Sequence, residues 1–297
     1  MIDLHTHSTF SDGFLTPREL FNQAQQLNLE ALALTDHDTV AGLKELHQAA
    51  RNKKIEILNA AEMAVYYPHT DMEIIAMDIP KQSLQAYLDY QNSEINRRKE
   101  LTYKRIELLQ KSGFNITYEE VAYDEHGNLR TQIRRPHFTD IMLKKGYIKD
   151  IEEAYKGVFA RGGSCYVENK PLSAKDMIKF IKDTGAKAIM AHPIHTDHSG
   201  DKLYKLVKKL QHYGLDGIEV FHSSQTKQNR LEYLNIIDDL HLITSGGSDF
   251  HGGTAHPENK LGTGKNNNLN IPYLVLEIIK EIKKPSASYY KELLKYL

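Results

Sequence analysis

The chain predicts an α/β protein with a barrel-like parallel sheet interrupted by a helical insertion. Three observations carry this prediction. Short apolar runs alternate with helical patterns in residues 1–80 and again in 165–297, strand signals vanish between them, and histidines and acids collect where the strands end. Repeated β-α units imply parallel strands joined by right-handed crossovers. A barrel gathers its site at the C-terminal ends of its strands. An open doubly wound sheet does the same, so the pattern favours the barrel without excluding the sheet.

Ile2–His5 reads as the first strand. A helix opens at Thr16-Pro17-Arg18-Glu19, with Thr at the cap, Pro at the first helical position and Glu three residues on. Leu20, Ala24 and Leu27 then form its apolar stripe. Ala31–Leu34 is a continuous apolar strand, as expected where both faces are covered. A helix over about 40–52 follows, then strands at Ile55–Leu58 and Glu73–Met77. From Lys81 the pattern becomes one long helix to about Ser112, marked by Leu84, Leu88, Ile95, Leu101, Ile106 and Leu109. Shorter helices are expected at Tyr118–Tyr123, Pro136–Lys145 and Ile151–Phe159. Residues 81–164 therefore read as a helical insertion into a discontinuous barrel domain, 1–80 with 165–297. Strands resume at Ala186–Ala191, Gly217–Phe221 and Leu242–Ser245, and a last helix is expected near Tyr273–Ile282.

Gross composition narrows the function classes. With 297 residues, 40% of them apolar, the chain can bury a large core. The net charge of −1 gives no overall field toward nucleic acid or a membrane. No apolar run approaches the roughly 20 residues that span a bilayer, and no signal-peptide pattern is visible. A single cysteine, Cys165, precludes an intramolecular disulfide and suits a reducing cytoplasm; it reads as a packed thiol. No obligate protein partner is evident.

His5-Thr-His7 ends the first strand, and side chains two apart in a strand share a face. The pair therefore aims two imidazoles at one place, as metal ligation requires. Nine strand-end groups make up the candidate ligand set: His5, His7, Asp12, His37, Glu62, Glu73, His192, Asp249 and His251. His47, His126, His212 and His241 have no ligand type nearby and read as structural, whereas His195 and His198 read as part of a solvated loop. Nine ligands exceed the four of one tetrahedral zinc but suffice for two or three ions sharing carboxylates. Imidazole and carboxylate donors without thiolate suit Mn, Fe or Zn. Paired metals clamp an in-line phosphoryl displacement and activate water, so phosphoester hydrolysis is expected first, with amide hydrolysis as the competitor.

Four segments, His5-Thr-His7-Ser with Asp12-Gly13, Leu34-Thr35-Asp36-His37-Asp38, Ala191-His192-Pro193 and Gly247-Ser248-Asp249-Phe250-His251-Gly252, resemble in order the motifs of the PHP (polymerase and histidinol phosphatase) superfamily. Each motif alone is weak; the ordered four are specific. Arg135-Pro136-His137 within a helical insertion resembles the subfamily of nucleoside 3′,5′-bisphosphate phosphatases and 5′-to-3′ exoribonucleases. The resemblance implies a distorted (β/α)7 barrel and a trinuclear site. It would place His5, His7, Glu62 and Asp249 on one ion, with Glu62 bridging to a second held by Glu73 and His192. Asp12, His37 and His251 would hold the third. Asp12, Glu62, His192 and Asp249 would form the catalytic centre. The family usually has His where Glu73 aligns, and His69 is the possible substitute; a carboxylate there adds negative charge and a harder donor.

Substrate contacts are expected from residues 127–137, where Arg130, Arg134, Arg135 and His137 occur with no acid. Arg matches phosphate oxygens bidentately, and a helix start favours anions. Arg134, Arg135 and His137 are the phosphate-binding candidates. His222, at a strand end, either touches substrate and protonates the leaving oxygen or merely packs. Arg97, Arg98, Lys99, Lys104 and Arg105 alternate with Glu94, Glu100 and Glu107, which reads as a solvated helix face. Charges in the insertion nearly balance, so a mononucleotide or short oligonucleotide fits better than a long RNA track, with a Tyr or Phe stacking the base. The expected activity is a metal-dependent phosphoesterase hydrolysing a phosphomonoester of a nucleotide, a nucleoside 3′,5′-bisphosphate or an AMP-like one, or of a short RNA 5′ end. The alternatives are a histidinol-phosphate-type phosphatase and a non-catalytic metal- or nucleotide-binding module.

Overall fold

The computed structural model describes residues 1–68, 70–123, 127, 129–130, 133, 135–168, 170–196, 198–253, 258–281 and 285–297. They divide into two compact units, 1–88 with 171–297, and 89–170.

The first unit is an α/β barrel. Its elements are β1 (Ile2–Asp3), α1 (Pro17–Gln26), β2 (Ala31–Leu34), α2 (Leu43–Ala50), β3 (Glu56–Tyr67) and β4 (Thr70–Met77). The chain next forms α3 (Leu84–Lys111), α4 (Tyr118–Ala122), α5 (Arg135–Lys144) and α6 (Ile151–Lys156), which belong almost wholly to the second unit. The barrel then continues with α7 (Ala174–Asp183), β5 (Lys187–Met190), α8 (Gly200–His212), β6 (Gly217–His222), α9 (Lys227–Asp239) and β7 (Ile243–Gly247). A small ribbon, β8 (Asn259–Lys260) with β9 (Gly264–Lys265), precedes α10 (Tyr273–Ile279) and α11 (Ala287–Leu293).

Seven strands lie in the order β1-β2-β3-β4-β5-β6-β7. The sheet then nearly closes on itself. The amide of Leu4 donates to Gly246 O at 3.1 Å and that of Asp249 to His5 O at 2.9 Å, while His7 N donates to Phe250 O at 2.9 Å. Gly247 is required at this seam, because a Cβ there would lie 2.3 Å from the backbone N of His5. The closed order decides for the barrel over the open doubly wound sheet.

The expected all-parallel sheet is corrected at β4, which runs antiparallel to both β3 and β5. Only two residues separate β3 from β4. A link that short makes a hairpin, whereas a parallel return needs a crossover of a dozen or more residues. The third strand also does not end at Leu58; it runs on to Tyr67, so Glu62 lies mid-strand.

Local sequence explains the helices around the barrel. Thr16 and Glu19 close the expected capping box on α1, with Pro17 in its first turn. Helix α7 is capped by Ser173 and buries Met177, Ile178 and Ile181 along one stripe. The first turn of α3 stays with the barrel: Tyr87 is buried, its hydroxyl lies 2.9 Å from Thr184 Oγ1, and its ring meets Phe180 edge-on.

The second unit has its own core, in which Ile106 and Leu109 of α3 pack with Ile116, Val121, Phe138, Met142, Phe159 and Cys165. Cys165 is a buried free thiol. Arg105 departs from the solvated face expected for its helix. It is 7% exposed and lies over the rings of Phe138 and Phe159. No described helix is long and apolar enough to cross a membrane.

Candidate metal centre

The nine expected ligand residues come together in one cluster, most of them just past the C-terminal ends of the parallel strands and Glu62 and Glu73 from within β3 and β4. The segment just past β1 carries His5 and His7, and the turn behind them folds back so that Gly13 N donates to Ser8 O. Gly13 is obligatory in this turn, since a Cβ would fall 2.5 Å from the carbonyl carbon of His7. That turn carries Asp12. β2 runs into Thr35-Asp36-His37, and Ser8 N, Ser8 Oγ and Ser11 Oγ all donate to the buried Asp36 carboxylate at 2.6–2.7 Å. Asp36 thus ties the loops holding His7, Asp12 and His37 together. The β3–β4 hairpin places Glu62 opposite Ile75 and Ala64 opposite Glu73. Paired residues share a face, so the two glutamates are diagonal neighbours. β5 leads to His192, β6 carries His222 at its end, and β7 leads to Asp249 and His251.

Glu62 is the hub. Its Oε1 lies 2.8 Å from His192 Nε2, and its Oε2 lies 3.4, 3.5 and 3.2 Å from His5 Nε2, His7 Nε2 and His37 Nδ1. Asp249 Oδ1 faces His7 Nε2 at 3.2 Å and His5 Nε2 at 3.5 Å, and its Oδ2 faces His222 Nε2 at 3.4 Å. Asp12 reaches His37 Nε2 and His251 Nε2, both at 3.4 Å. Glu73 meets His37 Nδ1 at 3.2 Å and His192 Nε2 at 3.4 Å. A cavity of about 210 Å³ opens over this cluster, lined by His37, Glu62, Glu73, His192, His195, Asp249 and His251.

These residues fit divalent ions. His5 Nε2, both ring nitrogens of His7 and Glu62 Oε2 are buried yet make no hydrogen bond. Buried polar atoms are normally satisfied, so this concentration of orphaned donor atoms marks a place for a cation. Four groups of possible ligand atoms lie within 4.8 Å of one another: His7/Asp12/His37/His251, His5/Glu62/His192, His5/His7/Asp249 and His37/Glu62/Glu73. His5, His7, His37 and Glu62 each occur in two groups, so the groups form one continuous cluster. The backbone is also held in an uncommon conformation here. His192 and Asp249 have φ of 21° and 55°, values that non-glycine residues adopt where the surroundings enforce them.

The electrostatics match. Burial opposes the charged form of Glu62 and Asp249, yet the surrounding histidines hold both carboxyls well below their usual range. Burial likewise disfavours a charged His37 or His192, but Glu62 and Glu73 outweigh it and push them up to about 10 and about 9. His7 is lowered, by burial first and then by His251 and His37. Protons on His37 and His192 thus offset the charge of the carboxylates beside them.

Hydrogen bonds to the outer ring nitrogens set two tautomers. Glu219 Oε1 lies 3.0 Å from His5 Nδ1; burial opposes its charge, but His5 and His222 keep its pKa below the ordinary value. Nδ1–H therefore donates to Glu219, which leaves Nε2 as the His5 nitrogen that faces the cluster and would give its lone pair to a cation. His222 is the reverse: Ser224 N donates to Nδ1 at 3.2 Å, so its Nε2 carries the proton toward Asp249.

Sequence reasoning missed Glu219, which is fully buried and also accepts from His192 N at 2.9 Å. Its signal was available: a lone acid inside the apolar run Gly217–His222 is buried only when paired. His195 was read as part of a solvated loop, but the turn at Pro193–His195 brings its ring within 4.9 Å of His192 and 5.8 Å of His222. Arg135 and His137 lie in α5 of the second unit. Arg134, His69 and His126 fall outside the described residues.

Comparisons with known proteins agree with this geometry. A 5′-3′ exoribonuclease of Haemophilus influenzae is 29% identical over 84% of this chain and 89% of its own length. A 3′,5′-nucleoside bisphosphate phosphatase of Chromobacterium violaceum is 30% identical over 84% of this chain and 87% of its own. A solved structure of an amidohydrolase from Chromobacterium violaceum, with bound sulfate and no metal, superposes with a TM-score of 0.73 at 26% identity, covering 97% of this chain and 99% of that one. The PHP domain family matches residues 3–258, and on that span, with its barrel and its strand-end cluster of histidines and acids, the chain belongs to the PHP domain family.

Proposed function

We propose that this protein is a metal-dependent phosphoric ester hydrolase whose substrate is a nucleotide, such as a nucleoside 3′,5′-bisphosphate, or a short RNA 5′ end. The observation that carries the reading is Glu62, a buried carboxylate whose two oxygens each face different histidines and which links neighbouring ligand groups. A carboxylate shared in this way would let one side chain serve more than one divalent ion, and paired ions favour in-line phosphoryl displacement.

His5, His7, Asp12, His37, Glu62, Glu73, His192, Asp249 and His251 would hold two or three divalent ions, with Mn, Fe or Zn suited to the mixed donor set. Bound there, such ions supply a water of lowered pKa and offset charge on the phosphoryl oxygens. The chain's own groups do the rest. Asp12, Glu62, His192 and Asp249 face the reacting centre. His222 Nε2–H points into the cluster and is placed to give its proton to the leaving oxygen. Arg134, Arg135 and His137 bind a phosphate group of the substrate. A cytoplasmic location is part of the same reading.

Amide hydrolysis is the competing chemistry for a polymetal barrel, and histidinol phosphate is the competing substrate. The nucleotide reading is favoured because both sequence relatives described above are named for nucleotide or RNA substrates. The test is phosphate release by the purified protein over nucleoside bisphosphates, 5′-phosphorylated oligoribonucleotides, histidinol phosphate and N-acyl amides, with elemental analysis of the same sample. Bound metal with no phosphate release from any phosphoester would overturn the reading.

A further inference from the structure

Phe14 is the most exposed large apolar side chain among the described residues, at 69%. Single exposed apolar residues are common, so exposure alone assigns it nothing; its placement does. Phe14 comes two residues after Asp12, which puts its Cα within about 7 Å of that candidate ligand's. Its amide donates to His251 O at 2.6 Å, so the same residue is tied to a second candidate ligand. On either side the turn is closed, Gly13 N donating to Ser8 O and Thr9 N to Leu15 O, both at 2.9 Å.

The ring is seated as well as tethered. It lies against Gly252 and Gly253, which directly follow His251: a Cβ on Gly253 would come within 3.2 Å of Phe14 Cγ and Cδ2, and one on Gly252 within 3.3 Å of Phe14 Cβ. The backbone of the loops that hold Asp12 and His251 therefore carries this ring, and water meets most of its surface. Holding a phenyl ring in water on a clamped turn forgoes the gain from burying it. Beside a charged site, such a ring offers a planar apolar group a surface on which to stack. The cavity over the cluster lacks one. Its lining is histidine and carboxylate, which suits cations and phosphate rather than an uncharged base.

We propose that Phe14 is the platform on which the nucleobase of the substrate stacks, and so the residue that separates nucleotides from other phosphoesters. The inference rests on the nucleotide reading above and deepens it. One ribose separates the base of a nucleotide from its 5′-phosphate, so a phosphate over the cluster brings the base within reach of the Asp12 turn. Stacking on an aromatic side chain tolerates any base, because every base has a π face. Phe14 thus selects for the presence of a base and not for its identity. The turn is fixed before the substrate arrives, so little ordering is lost on binding.

The test is calorimetric titration of the full-length, metal-loaded protein with adenosine 5′-monophosphate and with ribose 5-phosphate, which carries the same phosphomonoester without a base. Bound metal is measured in every sample. The wild type is expected to prefer the nucleotide by about 5- to 100-fold, the range that stacking of one base supports. Phe14→Ala should collapse that preference toward one, with the metal content of the wild type. Phe14→Leu keeps an apolar side chain without the ring and should lose the preference too, which separates stacking from mere covering of the two glycines. Phe14→Trp enlarges the π face and should keep it. A preference that persists in Phe14→Ala overturns the proposal, as does a wild type that binds the two ligands alike or binds neither. Phosphate release measured in parallel keeps the two claims apart. A base preference that depends on Phe14, without release from any phosphoester, would sink the hydrolase reading and leave the platform standing. Release from both esters that is indifferent to Phe14 would do the opposite.

Discussion

His5 Nδ1 lies 3.0 Å from Glu219 Oε1, and both residues are fully buried. Glu219 holds more than this ring, because its other oxygen accepts the backbone N–H of His192. One carboxylate on β6 thus orients two candidate ligands from β1 and β5. Supports of this kind fix the tautomer and raise ligand basicity, and losing one lowers metal affinity by roughly 10–100-fold. Glu219→Gln should weaken binding by that order in a chelator-competition titration while preserving the circular dichroism spectrum. Wild-type affinity in the variant would show that His5 needs no such partner.

Glu62→Gln tests the hub. A glutamine offers one oxygen ligand and one N–H₂ donor, so it cannot serve cations on both sides. Metal stoichiometry by elemental analysis should fall, and phosphate release should drop by at least about 100-fold, since the loss exceeds that of an outer support. Full stoichiometry with intact turnover would remove Glu62 from the bridging role.

The sequence resemblance aligns Glu73 with a position usually held by histidine, and the structure brings its two oxygens to His37 and His192. A carboxylate there favours harder ions than imidazole does. Glu73→His should therefore shift the metal retained from a Mn/Zn mixture toward Zn. Its measurement is elemental analysis after reconstitution with equal amounts of both. A metal ratio identical to wild type would show that this position does not set selectivity.

The barrel and the cluster were legible because their signals are local. An apolar run ending in His or Asp is both a strand and a site element, and the four motifs recur in order. What escaped depends on partners distant in sequence. The antiparallel β4 follows from a link too short for a crossover, which the early end assigned to the third strand concealed. Glu219 pairs with a residue 214 positions away, so no window of sequence contains the interaction. Arg105 was masked by its neighbours: Glu107 beside it is exposed and pairs with Lys111, and periodicity does not separate one buried arginine from such a face.

The metal-free protein should lose stability as pH rises, and added metal should reverse that trend. His37 and His192 have pKa values near 10 and 9 against an ordinary 6.5. Their protonated forms stabilise the fold fully below 6.5, and that contribution is lost as pH climbs through 9 to 10. Glu62 and Asp249 act at the other end. Their pKa values are depressed, so their contribution is present above the ordinary carboxylate range and is lost on acidification. His7 is lowered and favours its neutral form, which acts in the opposite sense. The sum puts the metal-free optimum on the mildly acidic side of neutrality. Divalent ions replace the protons on the imidazoles, so the metal-loaded protein should not share the alkaline loss. Thermal unfolding with manganese and with chelator, at about pH 6 and about pH 8.5, should show the larger gain in Tm from metal at the higher pH. A gain that is larger at the lower pH would mean that the histidines are not carrying the cluster's charge in the metal-free state.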